Sequence, residues 1–334
     1  MNQLPATFRP GDLVEVKTGD EILETLDAEG TSGQLPFMPE MVAFCGKRFR
    51  VSRRVARMCI SGPQVYGTMR EFKTDDVVLL DDVRCSGAAH GGCQRACVIF
   101  WREAWLRKVV PSAARSPDAS DGTERLRRHL KVSSGPKAFF CQASELFKVT
   151  NTLARRDQVR QCVREVRAGD CGALEMAQRL GTWLFWRIRR KMLGEYASGR
   201  HTSTPTTALD LKPGEWVEVK SLKSIRETLN ASGHNRGLYF SPDMRLACGR
   251  RYRVNERVDR IIEDGTGKMR QLRNTVSLEG SLCSCPYINI GGCSRIDIVY
   301  WREIWLRRVG PPARESEQRP SATVASHARS AYDA

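Results

Sequence analysis

Pro10-Gly11-Asp12-Leu13-Val14-Glu15-Val16-Lys17 recurs later in the chain as Pro213-Gly214-Glu215-Trp216-Val217-Glu218-Val219-Lys220. A repeated stretch of this kind marks a repeated supersecondary unit, and it decides how the rest of the chain is read. The match extends outward on both sides. Glu24-Thr25-Leu26 pairs with Glu227-Thr228-Leu229, and Cys45-Gly46-Lys47-Arg48-Phe49-Arg50-Val51 pairs with Cys248-Gly249-Arg250-Arg251-Tyr252-Arg253-Val254. Both copies also close alike, with Phe100-Trp101-Arg102-Glu103-Ala104-Trp105-Leu106 answering Tyr300-Trp301-Arg302-Glu303-Ile304-Trp305-Leu306.

Within a copy, the Pro-Gly turn feeds an alternating strand through Leu13, Val14 and Val16. Ile22, Leu23 and Leu26 then follow Asp20, a candidate cap, at helical spacing, and Pro39 with Glu40 can open a second helical turn. Residues 48–55, 77–83 and 98–109 read as further strands. This pattern, together with the Asn-Thr-Val-x-Leu-Glu-Gly run at Asn274 to Gly280, resembles SH3-like small barrels, in which closure removes strand edges that would invite aggregation. The expected fold is mainly β with α: two tandem SH3-like small barrels, each with an inserted short helix, joined by a helical segment.

The expected boundaries follow composition. A first module spans 8–111 and a second, degenerate one 211–311; linkers rich in Ser, Thr, Pro and charge occupy 112–135 and 198–210; a helical middle segment fills 136–197; and the tail 312–334 reads as disordered. In the middle segment Val159, Cys162, Val163 and Val166 form an apolar stripe with Arg160, Arg164 and Arg167 opposite, and a longer helix is expected over 173–196. The aromatic start at Phe139 and Phe140 suggests docking onto a barrel.

Lys and Arg number 54 against 38 Asp and Glu, a formal charge of +16 that favours phosphate-rich or acidic partners. Many arginines alternate with apolar residues instead of clustering, so a solvated basic surface is the simpler reading. No apolar run approaches the roughly 20 residues of a membrane span, and the first ten residues lack a secretion signal, so a cytoplasmic protein with no membrane partner is expected.

Twelve cysteines in a reducing compartment point to metal binding or catalysis more than to disulfides. Cys59, Cys85, His90, Cys93 and Cys97 are the candidate metal ligands, the last four as Cys-x4-His-x2-Cys-x3-Cys around a glycine-bearing loop. Four thiolates suit zinc or an iron–sulfur cluster, with His90 as substitute ligand, outer hydrogen-bond donor or proton carrier. Closely spaced thiols beside Arg84 and Arg95 could also have lowered pKa values and act as a redox relay. Cys45, Cys141, Cys162 and Cys248 read as small buried apolar residues. In the second copy Ile262 stands opposite Cys59 and Asp297 opposite Cys97, leaving Cys283, Cys285 and Cys293 as an incomplete set.

The repeated Trp-Arg-Glu motif could stack a base, with its arginine reaching a phosphate, but as a repeated closing strand it suits core packing better. Arg187, Arg189, Arg190 and Lys191 crowd the end of the long helix, where they complement its dipole and could meet a nucleic-acid backbone. No Walker-type loop, nucleophile elbow or dinucleotide fingerprint occurs.

The Cys45 to Val51 string, the Cys85 to Cys97 loop, Phe100 to Leu106 and Phe140 to Leu146 resemble a family of uncharacterised bacterial proteins encoded near biosynthetic genes. The resemblance implies a setting beside biosynthetic enzymes and carries no catalytic residue. The expected function is that of a metal-binding protein, with zinc or an iron–sulfur cluster, acting as redox or accessory partner of a biosynthetic enzyme. The alternatives are a tandem-barrel nucleic-acid binder with structural zinc, and an enzyme using the Cys/His cluster with His90 as its base.

Overall fold

The structure is a computed structural model that describes residues 8–55, 57–62, 65–109, 120–194, 196–283 and 290–311. Residues 112–119 of the expected first linker, Cys285 and the tail 312–334 lie outside the described residues. The chain divides into two units. The first comprises residues 1–194, 259–272 and 283–298, and the second 195–258, 273–282 and 299–334. Two segments of the second repeat thus belong to the unit that holds the first.

In the first unit, β1 (Leu13–Val16) leads into α1 (Gly19–Leu23), followed by β2 (Arg48–Arg54), β3 (Met58–Gly62), β4 (Val65–Phe72), β5 (Val77–Leu80), β6 (Trp101–Arg102) and β7 (Leu106–Lys108). These build a five-stranded antiparallel sheet in the order β6-β5-β2-β1-β7, beside which the β3–β4 hairpin forms its own sheet with β8 (Thr150–Thr152). Sequence alternation located β1, β2 and β5 but not the β3–β4 hairpin, whose polar and glycine content hides the period.

The second repeat uses the same plan. Its strands β9 (Trp216–Val219), β10 (Arg251–Arg257), β11 (Arg260–Ile262), β12 (Met269–Gln271), β13 (Thr275–Leu282), β14 (Ile298–Arg302) and β15 (Leu306–Arg308) give the sheet order β14-β13-β10-β9-β15, with β11–β12 as a separate hairpin. The registers agree as well: Val14 pairs with Phe49 in one copy and Val217 with Tyr252 in the other.

Two local expectations are corrected. α1 is capped by Thr18 rather than Asp20: the Thr18 hydroxyl accepts from the Glu21 amide while Glu21 returns its carboxylate to the Thr18 amide at 2.9 Å. The closing strand is also broken by a 3₁₀ turn at Glu103–Trp105, and again at Glu303–Trp305. That turn aims Trp101 and Trp105 into the core, each 0% exposed, with Trp301 and Trp305 at 1% and 0%. Arg102 donates to the Ser32 and Gly33 carbonyls at 3.0 Å, and Arg302 to those of Asn235 and Arg236. Glu303 gathers the Leu209 and Leu211 amides and pairs with Arg257 at 3.0 Å, as Glu103 pairs with Arg54. The Trp-Arg-Glu motif is therefore spent on packing and on tying loops together.

Between the repeats lie α2 (Ser120–His129), α3 (Gln142–Val149), α4 (Arg155–Ala168) and α5 (Ala173–Leu193), the last ending at Gly194. Part of the expected linker is thus helix α2, because Leu126 is fully buried beside α1 and the Pro39–Phe44 turn. The expected apolar stripe of α4 is split: Cys162 is buried and Val166 packs against its cluster, but the two other valines turn outward. Val159 and Val163 are about half exposed, whereas Gln158, Gln161, Cys162 and Glu165 are buried. The reason is Arg57, fully buried, whose guanidinium is held by both Glu165 oxygens at 2.8 and 2.9 Å. A buried cation requires such a partner, and it outranks two valines in orienting the helix. Among the described residues no helix is long and apolar enough to cross a membrane.

The repeats differ at one indole. Trp301 Nε1 donates to the Ser281 hydroxyl at 2.9 Å, while Trp101 Nε1 is buried without a partner because Val83 occupies the corresponding position. Ser281→Ala should place Trp301 in the situation of Trp101 and lower stability by about 1 kcal/mol, as a stranded donor does, which thermal denaturation of the variant and the parent would measure.

Candidate thiol site

Cys85, Cys93 and Cys97 of unit one lie on a loop whose ends are closed by the Cys85 amide donating to the Cys97 carbonyl at 2.9 Å. Gly87 sits in the left-handed region at φ +67, and a Cβ there would lie 1.9 Å from the Cys93 carbonyl oxygen, so only glycine allows the loop to fold onto itself. Cys85, Cys93 and Cys97 line a cavity of about 30 Å³. Cys141, at the start of α3, lines the same cavity, as do His90 and Arg95. A space of that size holds one or two water-sized species.

Four thiols therefore share one cavity, three from the predicted set and one, Cys141, that sequence reasoning assigned to bland packing. Only its distance in the sequence hid it. Among the described residues, no group of three or more His, Cys, Asp or Glu side chains is already gathered as a metal ion would require.

His90 lies within the cavity wall rather than free in it. Nδ1 is 2.7 Å from Glu40 Oε1 and Nε2 is 3.0 Å from the Phe140 carbonyl oxygen. Glu40 also accepts from the Ala89 amide. Burial pushes the Glu40 carboxyl up, and the hydrogen bond and charge of His90 more than offset this, leaving it below its ordinary value. With both ring nitrogens engaged, His90 orients the loop; it has no nitrogen left for an ion and does not sit as the base of a thiol nucleophile.

The expectation of lowered thiol pKa values is overturned. Burial pushes Cys97 up to about 11 despite the opposing charges of Arg95 and Arg295, and it pushes Cys141 up to about 12. Cys85 is raised further, by burial, Glu40 and the neighbouring Cys97. Arg84, the other expected activator, donates to the Ala96 carbonyl at 2.9 Å. At neutral pH these groups are thiols, so a redox relay based on ready thiolates does not fit.

Cys59 is not at this cavity. It lies against Cys293, whose Sγ accepts from the Cys59 amide at 3.1 Å. The mirror contact is present: Cys93 Sγ accepts from the Ile262 amide at 3.3 Å. The exchange continues outward. Gln94 donates to the Arg260 carbonyl at 2.9 Å and Ser294 to that of Arg57 at 3.2 Å. Arg57 reaches the Gly291 carbonyl at 2.9 Å, and Arg260 that of Gly91 at 3.4 Å. Hairpin and loop of one repeat thus interlock with loop and hairpin of the other inside unit one.

At the centre of the interlock Asp264, 1% exposed, accepts from Arg95 at 2.9 Å and from both Nη atoms of Arg295 at 2.9 and 3.1 Å. Burial raises its carboxyl, but Arg295 and Arg95 prevail and hold it below the ordinary range. Elsewhere in the unit, Cys45 is only partly buried: it caps the Pro39–Phe44 turn and packs against the core, and the loss of solvent pushes its thiol up to about 11. Cys162 accepts from Arg57 at 3.1 Å.

Comparison with known proteins adds no assignment: no protein family, curated protein or solved structure matches this chain.

Asp264→Ala should leave two guanidiniums without their shared carboxylate and cost about 3–5 kcal/mol, the usual penalty for breaking a buried charge pair. Urea denaturation followed by tryptophan fluorescence would measure it, and a loss below about 1 kcal/mol would show that the charges are solvated instead.

Proposed function

We propose that this chain is a metal-carrying accessory protein of the cytoplasm, in which Cys85, Cys93, Cys97 and Cys141 take one soft divalent ion of the zinc class on an SH3-like scaffold, in the service of a biosynthetic enzyme. The observation that carries the reading is the convergence of four thiols on one small cavity. Sulfur-only sets are the usual tetrahedral donors for zinc, and thiols set around a gap need only side-chain rotation to close on an ion. Arg95 and Arg295 at the cavity wall would balance the negative charge of thiolates. His90 and Glu40 then act as the outer layer that fixes the loop. The SH3-like assignment is supported by the repeated five-strand order and by the 3₁₀ turn before the last strand.

The accessory role draws on α5. Leu174, Leu184, Phe185, Ile188 and Met192, each at least half exposed, fall on one helical face, with Arg189 and Lys191 beside it. Such a stripe suits an apolar, acidic partner surface. Ile188→Asp together with Lys191→Glu should abolish binding to the partner enzyme while leaving metal content unchanged; retained binding would place the partner elsewhere.

The deciding experiment is metal and sulfide analysis with a visible spectrum on the full chain purified without oxygen, set against Cys93→Ser/Cys97→Ser. We expect a colourless protein that loses one equivalent of zinc in the variant. Iron, sulfide and brown colour lost in the variant would replace the ion by a cluster. Metal content unchanged in the variant would overturn the reading. Because Cys97 and Cys141 are protonated at neutral pH, binding must release protons, and zinc affinity should rise as the pH is raised.

A further inference from the structure

The interlock of the repeats brings together two cysteines that lie far apart in the chain. Cys59, on β3, and Cys293, 234 residues later, are in direct side-chain contact. Backbone contacts clamp both sides of the pair. The Ser294 amide donates to the Arg57 carbonyl at 3.2 Å, and the Arg295 guanidinium reaches the Cys59 carbonyl at 3.5 Å. Cys293 Sγ accepts from the Cys59 amide at 3.1 Å and from the Arg295 amide at 3.4 Å. These two amides fix where the sulfur lies, and it lies against the Cys59 side chain. The mirrored contact of the interlock serves as an internal control. There Cys93 Sγ accepts from the Ile262 amide at 3.3 Å, and isoleucine stands in the place of Cys59. An aliphatic side chain thus satisfies the packing at this position, and the sulfur of Cys59 adds a reactivity that packing does not call for.

We infer that Cys59 and Cys293 are a redox pair, which a hydroperoxide closes into a disulfide that staples β3 of the first repeat to the Cys293 loop of the second. Cys59 is partly exposed and Cys293 is buried, so Cys59 meets the oxidant first. Its sulfur attacks the O–O bond, takes one oxygen as a sulfenic acid and releases the other as alcohol, or as water when the oxidant is hydrogen peroxide. Cys293 sulfur then attacks Cys59 sulfur and expels that oxygen as a second molecule, water, as the S–S bond forms. The two thiols give up two electrons and two protons, and the peroxide takes up both. Contact with Cys59 and burial push the Cys293 thiol above its ordinary range, so the pair rests in the reduced, protonated form until an oxidant arrives. In a reducing compartment such a bond is transient, made under oxidant and undone by thiol exchange. Neither sulfur lines the cavity of the proposed metal site, so the pair stands or falls independently of that reading.

The test uses the full chain, reduced, freed of reductant, treated with hydrogen peroxide, blocked with iodoacetamide and mapped by mass spectrometry. A peptide linking Cys59 to Cys293, two hydrogens lighter than its free parts and cleaved by dithiothreitol, is expected. Cys59→Ile should lose the linkage while keeping the melting temperature of the reduced parent, because isoleucine already occupies the mirrored position. Cys293→Ser should stall Cys59 as the sulfenic acid, which dimedone traps. Because the bond closes a loop of 234 residues, oxidation should raise the melting temperature of the parent by about 5 °C, and that of Cys59→Ile not at all. The parent alone decides the matter even if a variant fails to fold: absence of the linked peptide after oxidation, or Cys59 joined instead to another cysteine, overturns the pair.

Discussion

Asp264 is the point on which the arrangement of the first unit turns. Its carboxylate is buried between the guanidiniums of Arg95 and Arg295, and none of the three can be buried without the others. Arg95 belongs to the first repeat, whereas Asp264 and Arg295 come from the second. Satisfying these charges brings the β11–β12 hairpin and the loop around Cys293 into the unit of the first repeat. The contacts of sulfur with backbone amides then follow at fixed register, because hairpin and loop are each held by their own backbone hydrogen bonds.

Duplication supplies the near-symmetry of this interlock, and substitution breaks it where the chemistry lies. Cys59 against Ile262, and Cys97 against Asp297, make the two halves unlike in donor number and charge. Cys141 comes from outside the repeat altogether and reaches the first cavity only. The first half is thus a sulfur-lined cavity, and the second a thiol pair, Cys59 with Cys293. Val83 in place of Ser281 shows the same drift without chemical consequence, costing one hydrogen bond of an indole.

His90 illustrates how the loop is made stiff. Held by Glu40 on one side and the Phe140 carbonyl on the other, it links the Pro39–Phe44 turn, the cysteine loop and the start of α3. Rigid placement matters for thiols that are otherwise small and free to rotate, since a cavity of this size tolerates little displacement. Arg57 does the same for α4 from the other side of the interlock, drawing Glu165 inward.

The repeat itself, the matched strands β1, β2 and β5 with their counterparts β9, β10 and β13, and the burial of the tryptophans were legible in the sequence, because alternation and duplication are properties of neighbours along the chain. So was the density of sulfur around Cys85 to Cys97. The β3–β4 hairpin and the inward polar face of α4 were not, since each depends on a partner remote in sequence: Thr150 to Thr152 for the hairpin edge and Arg57 for the helix. Tertiary structure alone decided which cysteines meet. Local spacing placed Cys59 with Cys85 and set Cys141 aside, whereas the pairing of buried charges across the repeats carried Cys59 to Cys293, and the docking of α3 brought Cys141 to the cavity.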